Sequence, residues 1–201
     1  MKNLLSKRTL NKYSRQIILK DVGIIGQKKI FNSKILVVGA GGLGSPVIDL
    51  LVRAGVGFLG VIEDDKVDYS NLHRQTLYDY NDVGKYKSDV IKKKIKLIND
   101  KIKLKIFKER AKDKNLSKIL PKFDIIVDGT DNFPTKFLLN KYSLKHRKKL
   151  VIGAISKFDG HIFSFDFSQK KIPCLNCFYQ GMPSDEILSL IHISEPTRRN
   201  S

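Results

Sequence analysis

The length, composition and charge of this chain exclude several classes of protein before any motif is considered. Its 201 residues are enough for about one domain with a buried core, and 41% hydrophobic and 29% charged residues are typical of a globular protein. No run approaches the ~18 apolar residues of a membrane span, and the first residues lack the apolar segment of a signal peptide. We therefore expect a cytoplasmic protein with no membrane association.

The formal net charge of +18 reflects 38 Lys and Arg residues against 20 Asp and Glu residues. A nucleic-acid-binding module is one explanation, because such proteins bind phosphates through Lys and Arg. However, 30 of these cations are Lys, and they are scattered along the chain instead of forming one block. Such an excess of Lys over Arg is typical of proteins from AT-rich genomes. We favour this explanation, expect no nucleic-acid partner, and keep nucleic-acid binding as an alternative.

Helices and strands are predicted to alternate along the chain. Residues 10–32 carry apolar positions at helical spacing with a break near Asp21–Gly23, which predicts two short N-terminal helices. Further helices are predicted at Gly42–Ala54, 84–99, Lys114–Leu120 and Pro134–His146. Short apolar runs predict strands at Lys34–Gly39, Phe58–Glu63, Lys103–Lys108, Asp124–Asp128 and Leu150–Ile155.

Residues 160–167 differ from these runs because apolar and polar residues alternate, which indicates a half-buried and antiparallel strand. Strands that alternate with helices are typical of a doubly wound α/β fold. We therefore predict a mostly parallel, Rossmann-like sheet preceded by short helices.

A glycine-rich loop follows the first predicted strand and opens the next helix. Its sequence, GAGGLG, has glycines of the G-x-G-x-x-G pattern at Gly39, Gly41 and Gly44, with a further glycine at Gly42. Such glycines let the backbone approach phosphates, and a helix N-terminus favours negative charge. Glu63 ends the second strand, where a ribose-binding acid belongs. The sequence therefore predicts a nucleotide site, but this motif alone does not separate NAD from ATP.

The residues after the second strand favour ATP. A triphosphate needs cations along its oxygens and carboxylates for Mg²⁺, and Arg74, Lys87 and Asp131 could supply both. Each of these residues alone is more typical of an exposed surface or a helix cap, and only their order after the glycine-rich loop makes them informative. An NAD(P)-dependent oxidoreductase is the alternative, and it would explain only the loop and Glu63.

The order of the motifs from Tyr13 to Cys177 resembles the HesA/MoeB/ThiF family, the bacterial relatives of ubiquitin-activating enzymes. The matching elements are YSRQ at 13–16, VVGAGGLGS at 37–45, AGVG at 54–57, SNLHRQ at 70–75, VG at 83–84 with Lys87, DGTDN at 128–132 and PCLNC at 173–177. They cover nearly all of the predicted domain.

The resemblance implies an adenylyltransferase that acts on a small ubiquitin-like sulfur-carrier protein. In such an enzyme the C-terminal glycine carboxylate of the carrier attacks the α-phosphate of ATP and pyrophosphate leaves. The resulting anhydride then accepts sulfur, supplied by a sulfur donor protein, for thiamine or molybdenum-cofactor synthesis. Relatives that activate peptides or a cyclised tRNA base, and regulatory relatives without catalysis, remain alternatives.

The resemblance also implies roles for individual residues. The loop glycines would hold the phosphates, and Glu63, at a position where the family usually has Asp, would bind the ribose. Further nucleotide contacts would come from Asp65, Ser70, Asn71, Arg74, Lys87 and Asn132. Asp131 would hold Mg²⁺. Arg15 would reach the site of the neighbouring subunit, which implies a homodimer, and Arg15, Arg74, Lys87 and Asp131 would be the catalytic residues.

Cys174 and Cys177 form a C-x-x-C pair, which indicates metal or redox chemistry. Structural zinc requires four ligands, and the four His residues have no ligand-like spacing to this pair. Relatives commonly carry a second pair near the C-terminus, so the resemblance implies Zn²⁺ in the full-length protein and only a zinc half-site here. Redox activity and plain structural thiols are the alternatives.

The last residues differ in character from the rest of the chain. Residues 188–201 contain no Lys and resemble the translation of a sequencing-library adapter. We therefore expect residues 1–187 to form an adenylation domain that is incomplete at its C-terminus, and residues 188–201 to be an artefact.

Overall fold

A computed structural model of the chain describes residues 6–156, 158–169 and 172–179. Its helices are α1 (Lys7–Ile17), α2 (Gly23–Asn32), α3 (Gly44–Ala54), α4 (Lys87–Ile98), α5 (Asp113–Ile119), α6 (Phe133–Lys145) and α7 (Leu175–Tyr179). Its strands are β1 (Lys34–Val38), β2 (Phe58–Ile62), β3 (Lys103–Phe107), β4 (Ile125–Asp128), β5 (Lys149–Ser156) and β6 (Asp159–Asp166). Every predicted helix and strand is confirmed with small shifts at its ends, and α7 is an addition.

The strands form one sheet in the order β3-β2-β1-β4-β5-β6. The first five are parallel, and β6 pairs antiparallel with β5, as the alternating pattern of residues 160–167 predicts. The chain leaves β1 towards β2 and β3 on one side, and the next strand, β4, returns to the other side of β1. Ligands of open α/β sheets bind at such a switch point, at the carboxyl ends of the strands.

Apolar residues of the strands point alternately to the two faces of the sheet, and each face has its own core. On one face Leu36 and Val38 pack with residues of α5 and α6. On the other face Ile35 and Val37 pack with residues of α3 and α4. A strand that is buried on both faces must be apolar at successive positions, which explains the continuous run of β1.

The two N-terminal helices dock at the C-terminal end of α3. Tyr13, the buried residue of α1, stacks edge-on against Phe31 of α2 at a centroid distance of 5.1 Å. The side-chain amides of Gln16 and Gln27 both donate to the carbonyl oxygen of Ala54, at 2.9 and 3.1 Å. This docking fixes α1 at the end of α3 that lies away from the glycine-rich loop.

None of the helices in the described ranges is both long enough and apolar enough to cross a membrane. The predicted artefact at residues 188–201 lies outside the described residues.

Candidate nucleotide and adenylation site

The glycine-rich loop connects the carboxyl end of β1 to the first turn of α3. Gly39 adopts a φ of 81°, a conformation that L side chains rarely take. A Cβ atom added to Gly44 would lie 1.9 Å from the carbonyl oxygen of Gly39, so the loop closes on itself only with glycine at this position. The result is a tight turn that presents backbone to the edge of the sheet and leads directly into a helix N-terminus, which favours anions.

Glu63 follows β2 and is tied to this loop by hydrogen bonds from the backbone. Its Oε2 atom accepts from the amide of Ala40 at 2.7 Å, and its Oε1 atom accepts from the amide of Asp65 at 2.9 Å. The residue is 7% exposed. Each carboxylate oxygen has a further lone pair, so these bonds leave acceptor capacity for a ribose hydroxyl. Glu63 therefore organises the loop, in addition to the ribose contact predicted for it.

The segment after Glu63 brings Arg74 to the loop. Ser70 and Asn71 lie in a single-turn 3-10 helix, Tyr69–Asn71, which is capped by Asp68. The carboxylate of Asp68 accepts hydrogen bonds from the amide and the hydroxyl of Ser70, at 2.8 and 2.6 Å. The next residues turn back, and the side chain of Arg74 packs 3.6 Å from the position of a Cβ atom on Gly42. The nearest atoms include Cδ and, at 3.7 Å, Nε of Arg74, and Nη1 donates to the carbonyl oxygen of Ser70 at 3.2 Å, so the Nε end of the guanidinium group lies beside the loop predicted to bind phosphates.

Gln75 also faces the loop and is 4% exposed. Its Nε2 atom lies 3.7 Å from the position of a Cβ atom on Gly41, and its Oε1 atom has no hydrogen-bond partner in the described part of the chain.

Lys87 begins α4 and is buried beside Asp65. Its side chain is 5% exposed, and its Nζ atom lies 3.4 Å from Oδ2 of Asp65, whose side chain is 57% exposed. The backbone adds a second link, because the amide of Lys87 donates to the carbonyl oxygen of Asp65 at 2.9 Å. Asp65 follows Glu63 by two residues, so this pair holds the ammonium group near the carboxyl end of β2. The structure therefore brings together Glu63, Asp65 and Lys87, three residues predicted to contact the nucleotide.

Residues 128–132 form the second wall of the site, at the carboxyl end of β4. A Cβ atom added to Gly129 would lie 2.9 Å from the amide nitrogen of Gly44, so this loop packs backbone to backbone on the glycine-rich loop, residues 39–44, which we call the phosphate loop after its predicted ligand. Asp131 is exposed, whereas Asn132 caps α6 through a 3.0 Å hydrogen bond from the amide of Thr135. Its amide Nδ2 lies 3.4 Å from Oδ1 of Asp131. Asn132 is thus a helix cap, and its predicted contact with the nucleotide is not tested by this geometry.

Asp128 is not available to a ligand, because it is 1% exposed and fully bonded. Its Oδ1 atom accepts from the amide and the hydroxyl of Thr130, and its Oδ2 atom lies 3.1 Å from Nζ of Lys136. Burial raises the pKa of the Asp128 carboxyl group, and the ammonium group of Lys136 and the bonds from Thr130 act in the opposite direction.

Two places in the described residues could hold a divalent cation near the nucleotide. Asp131 offers one exposed carboxylate, which fits a Mg²⁺ ion because this ion is usually bound by one or two carboxylates, phosphates and water. Glu63, Asp64 and Asp65 can bring one oxygen each to within 4.8 Å of one another, although Glu63 is engaged with the backbone. The Mg²⁺ contact of Asp131 stays a prediction.

Cys174 and Cys177 lie together at the start of α7, with their Sγ atoms 3.5 Å apart. Burial disfavours the Cys174 thiolate, but hydrogen bonds from Cys177, Asn140 and Asn176 outweigh it and lower the pKa of this thiol. Two adjacent thiols fit half of a tetrahedral zinc site. In the described residues no third His, Cys, Asp or Glu lies close enough to complete a metal site with them.

The sequence profile of the ThiF family matches residues 13–195. The chain belongs to the ThiF family. The match continues past Ile187, and the interpretation of residues 188–201 as an artefact stays a prediction.

Relatives in the ThiF family carry names that refer to adenylation. The chain is 41% identical over 181 residues to a sulfur carrier protein adenylyltransferase of Thermus thermophilus, covering 89% of this chain and 67% of the relative. It is 40% identical to a probable molybdopterin-synthase adenylyltransferase of Gracilaria tenuistipitata, covering 81% of this chain and 46% of that relative. This chain therefore spans about two thirds of the first relative and less than half of the second.

Solved structures agree with the fold. Escherichia coli MccB in complex with AMPCPP and MccA is 26% identical, with a TM-score of 0.76 over 92% of this chain and 56% of that chain. PaaA is 22% identical with a TM-score of 0.76, which shows the shared fold. The predicted family and the predicted mostly parallel, Rossmann-like sheet are thus confirmed.

Arg15 is the predicted ThiF site residue that the structure does not bring to the phosphate loop. The residue next to it, Gln16, is bound to Ala54 at the last position of α3, whereas the loop lies at the first. An 11-residue helix separates the two ends by roughly 16 Å. The exposed Arg15 side chain therefore lies remote from the phosphate loop of its own chain.

Two residues of the site escaped sequence reasoning. Tyr78 is buried and donates a 2.9 Å hydrogen bond to the carbonyl oxygen of Ala40 in the loop. Burial and the nearby carboxylates of Glu63 and Asp65 raise the pKa of the Tyr78 phenol, which keeps it a hydrogen donor. Lys136 was missed although it lies on the buried stripe of α6, three residues after Phe133 and three before Leu139. A Lys among the buried positions of a helix that follows a strand ending in Asp indicates a buried ion pair, and this pattern is visible in the sequence.

Proposed function

We propose that this chain is the adenylating part of an enzyme that activates a small ubiquitin-like sulfur-carrier protein of the ThiS or MoaD type. The reaction joins the C-terminal glycine carboxylate of the carrier to the α-phosphate of ATP and releases pyrophosphate. Sulfur supplied by a donor protein then displaces AMP from the carrier adenylate and leaves a thiocarboxylate, for thiamine or molybdenum-cofactor synthesis. The names of the Thermus and Gracilaria relatives support this substrate class.

The observation that carries the proposal is the packing of Arg74 on Gly42, which puts the Nε end of a guanidinium group beside the phosphate loop. β2 and β4 flank β1 in the sheet, so a nucleotide along this loop would lie between Lys87, near the end of β2, and Asp131, after β4. This set of charges suits a triphosphate better than the nicotinamide end of NAD, which carries no negative charge. MccB, which shares the fold and is 26% identical, was solved with AMPCPP, an analogue of ATP.

The residues of the chain would act by position and charge, because phosphoryl-type transfer needs little covalent help from a protein. The carrier carboxylate is already a nucleophile, so no general base is required. Arg74 and Lys87 would neutralise the charge that moves onto the leaving pyrophosphate, and Glu63 would orient the ribose. Mg²⁺ bound at Asp131 would supply charge neutralisation at the phosphates.

Three further parts of the proposal concern the homodimer, the zinc site and the location of the reaction. We propose a homodimer in which Arg15 serves the site of the neighbouring subunit, which accords with its distance from the loop of its own chain. Cys174 and Cys177 would supply two thiolates to a structural zinc ion in the full-length protein. We place the reaction in the cytoplasm, where ATP is available, and propose neither a nucleic-acid nor a membrane partner.

The test is exchange of labelled pyrophosphate into ATP, measured with the full-length protein and a carrier that ends in Gly-Gly. We expect exchange that requires Mg²⁺ and the intact carrier, and no exchange with a carrier that lacks its last glycine. Running ThiS-type and MoaD-type carriers in parallel distinguishes the two pathways. Exchange that is indifferent to the carrier, or titration that shows binding of NAD but not of ATP, would overturn the proposal.

A further inference from the structure

Lys136 is a buried cation whose three hydrogen bonds join two segments of the chain, residues 128–130 and strand β5. Its Nζ atom lies 3.1 Å from Oδ2 of Asp128, 2.6 Å from the carbonyl oxygen of Thr130 and 2.7 Å from the carbonyl oxygen of Gly153. An ammonium group has three N–H donors, so its donor capacity is filled. The side chain is 5% exposed, which leaves it no role in contact with solvent.

Two partners of Lys136 lie in the segment that carries Asp131, and the third lies on the neighbouring strand. Asp128 is the last residue of β4, Thr130 lies immediately before Asp131, and Gly153 lies on the neighbouring strand β5. Asp128 holds Thr130 from the other side through its amide and its hydroxyl, at 2.9 and 2.6 Å. The loop is therefore fixed at the position before Asp131 from both directions.

The same segments touch the phosphate loop. Gly129 packs on Gly44, as described above, and a Cβ atom added to Gly153 would lie 3.1 Å from Cδ1 of Leu43. A shift of residues 129–130 would therefore change both the position of Asp131 and the surface on which the phosphate loop rests. Interiors are close-packed, so such a shift is not absorbed locally.

We propose that Lys136 is a positioning residue for adenylation: it holds residues 128–131 in the one conformation in which the carboxylate of Asp131 faces the nucleotide. This inference rests on the proposed function for its effect on rate. Its structural half, that Lys136 orders the loop, stands independently of that function. Lys136 does not touch substrate in this arrangement and acts through Asp131.

The first test uses the full-length protein and compares Lys136→Met, Lys136→Arg and a control, Lys145→Met, which removes an exposed Lys from the same helix. A misplaced charge in a pre-organised site lowers the rate by about 100-fold. We expect Lys136→Met to lower kcat of ATP–pyrophosphate exchange by about this factor, with a much smaller change in KM for ATP. Lys136→Arg keeps the charge, but its larger planar group does not reproduce the three bonds of an ammonium group, so we expect it to recover only part of the rate.

A second variant separates positioning from stability. Lys136→Met alone leaves Asp128 buried without its cation, which destabilises the fold. Adding Asp128→Asn removes that charge and keeps an oxygen that accepts from Thr130, so the double variant should regain thermal stability. We expect it to stay slow in exchange, because nothing replaces the bonds of Lys136 to Thr130 and Gly153. A double variant that regains both stability and rate would reduce Lys136 to a structural residue and overturn the proposal.

Hydrogen–deuterium exchange gives a readout that does not depend on activity. We expect faster exchange in Lys136→Met at the amides of residues 129–132, and parent-like exchange in β1 and β2. If the parent protein has no ATP–pyrophosphate exchange, the proposed function fails, while this measurement still decides whether Lys136 orders the loop. Unchanged protection of residues 129–132 in Lys136→Met would overturn the inference whatever the activity.

Discussion

Glu63 accepts a 2.7 Å hydrogen bond from the amide of Ala40, so the acid that ends β2 is tied directly to the phosphate loop. The bond from the amide of Asp65, at 2.9 Å, ties the same carboxylate to the segment that leads to Arg74 and Lys87. One side chain thus links the phosphate loop, which precedes β2 in the sequence, to the segment that follows β2. A carboxylate is suited to this role because it is purely an acceptor and both of its partners are N–H donors.

The first prediction concerns Glu63→Gln. The amide side chain has nearly the same shape, but its NH₂ group would face one of the two backbone donors and leave that N–H buried without a partner. A loss of this kind costs about 1–3 kcal/mol in the free energy of unfolding, and we also expect weaker binding of ATP because the loop is no longer fixed. Urea unfolding and titration with ATP measure the two effects.

The exposed change Glu109→Gln is the matched control for Glu63→Gln and should alter the free energy of unfolding by less than about 0.5 kcal/mol. Parent-like stability of Glu63→Gln would contradict the role of the two backbone hydrogen bonds.

The second prediction concerns Gly44→Ala in the turn between β1 and α3. The added methyl group would lie 1.9 Å from the carbonyl oxygen of Gly39, a backbone atom that cannot move without reopening the loop. We expect the free energy of unfolding to fall by roughly 3 kcal/mol or more and ATP binding to be lost. Gly160→Ala is the control, because no atom lies within 4 Å of its added Cβ atom. Equal denaturation midpoints for the two variants would show that the turn tolerates a side chain.

The third prediction tests the docking of the N-terminal helices. Asn99 is 5% exposed, and its Nδ2 atom donates to the hydroxyl oxygen of Tyr13 at 3.2 Å and to the carbonyl oxygen of Val52 at 3.1 Å. Asn99→Ala leaves both acceptors without this donor, so we expect a loss of about 1–3 kcal/mol, measured by urea unfolding. Asn11→Ala, at an exposed position of α1, should leave stability within about 0.5 kcal/mol of the parent. A change at Asn99 no larger than at Asn11 would mean that α1 is held by apolar packing alone.

The strands and the phosphate loop of this protein were predictable because their sequence requirements are local. A strand that is buried on both faces needs a continuous apolar run, as at residues 34–38, and a turn with a φ of 81° at Gly39 needs glycine. The antiparallel strand β6 was predictable for a related reason, since one of its faces is exposed and its residues alternate.

The contacts that complete the site were not predictable, because they depend on pairs of residues that are distant in the sequence. Ala40 and Glu63 are 23 residues apart, and Lys136 meets Gly153 across 17 residues. The sequence placed Asp128 and Asp131 at the same edge, but only the structure separates the bonded, buried Asp128 from the exposed Asp131. Arg15 is a further example, since only the docking of α1 at the end of α3 shows that it lies away from the phosphate loop of its own chain.

The last prediction concerns Asp131→Asn, which removes the exposed carboxylate and changes the volume of the side chain very little. The side chain of Asp131 is outside the buried network of Asp128 and Lys136, so we expect the thermal midpoint of unfolding to be unchanged. Adenylation should fall by about 10²–10³-fold, the size of effect seen when one pre-organised electrostatic group is removed from an active site. Carrier-dependent ATP–pyrophosphate exchange, followed as a function of Mg²⁺ concentration, measures this loss, and Asp159→Asn, an exposed Asp at the start of β6, is the control. Exchange by Asp131→Asn at the rate of Asp159→Asn would remove Asp131 from the catalytic machinery and, with it, the reason for holding residues 128–132 in place.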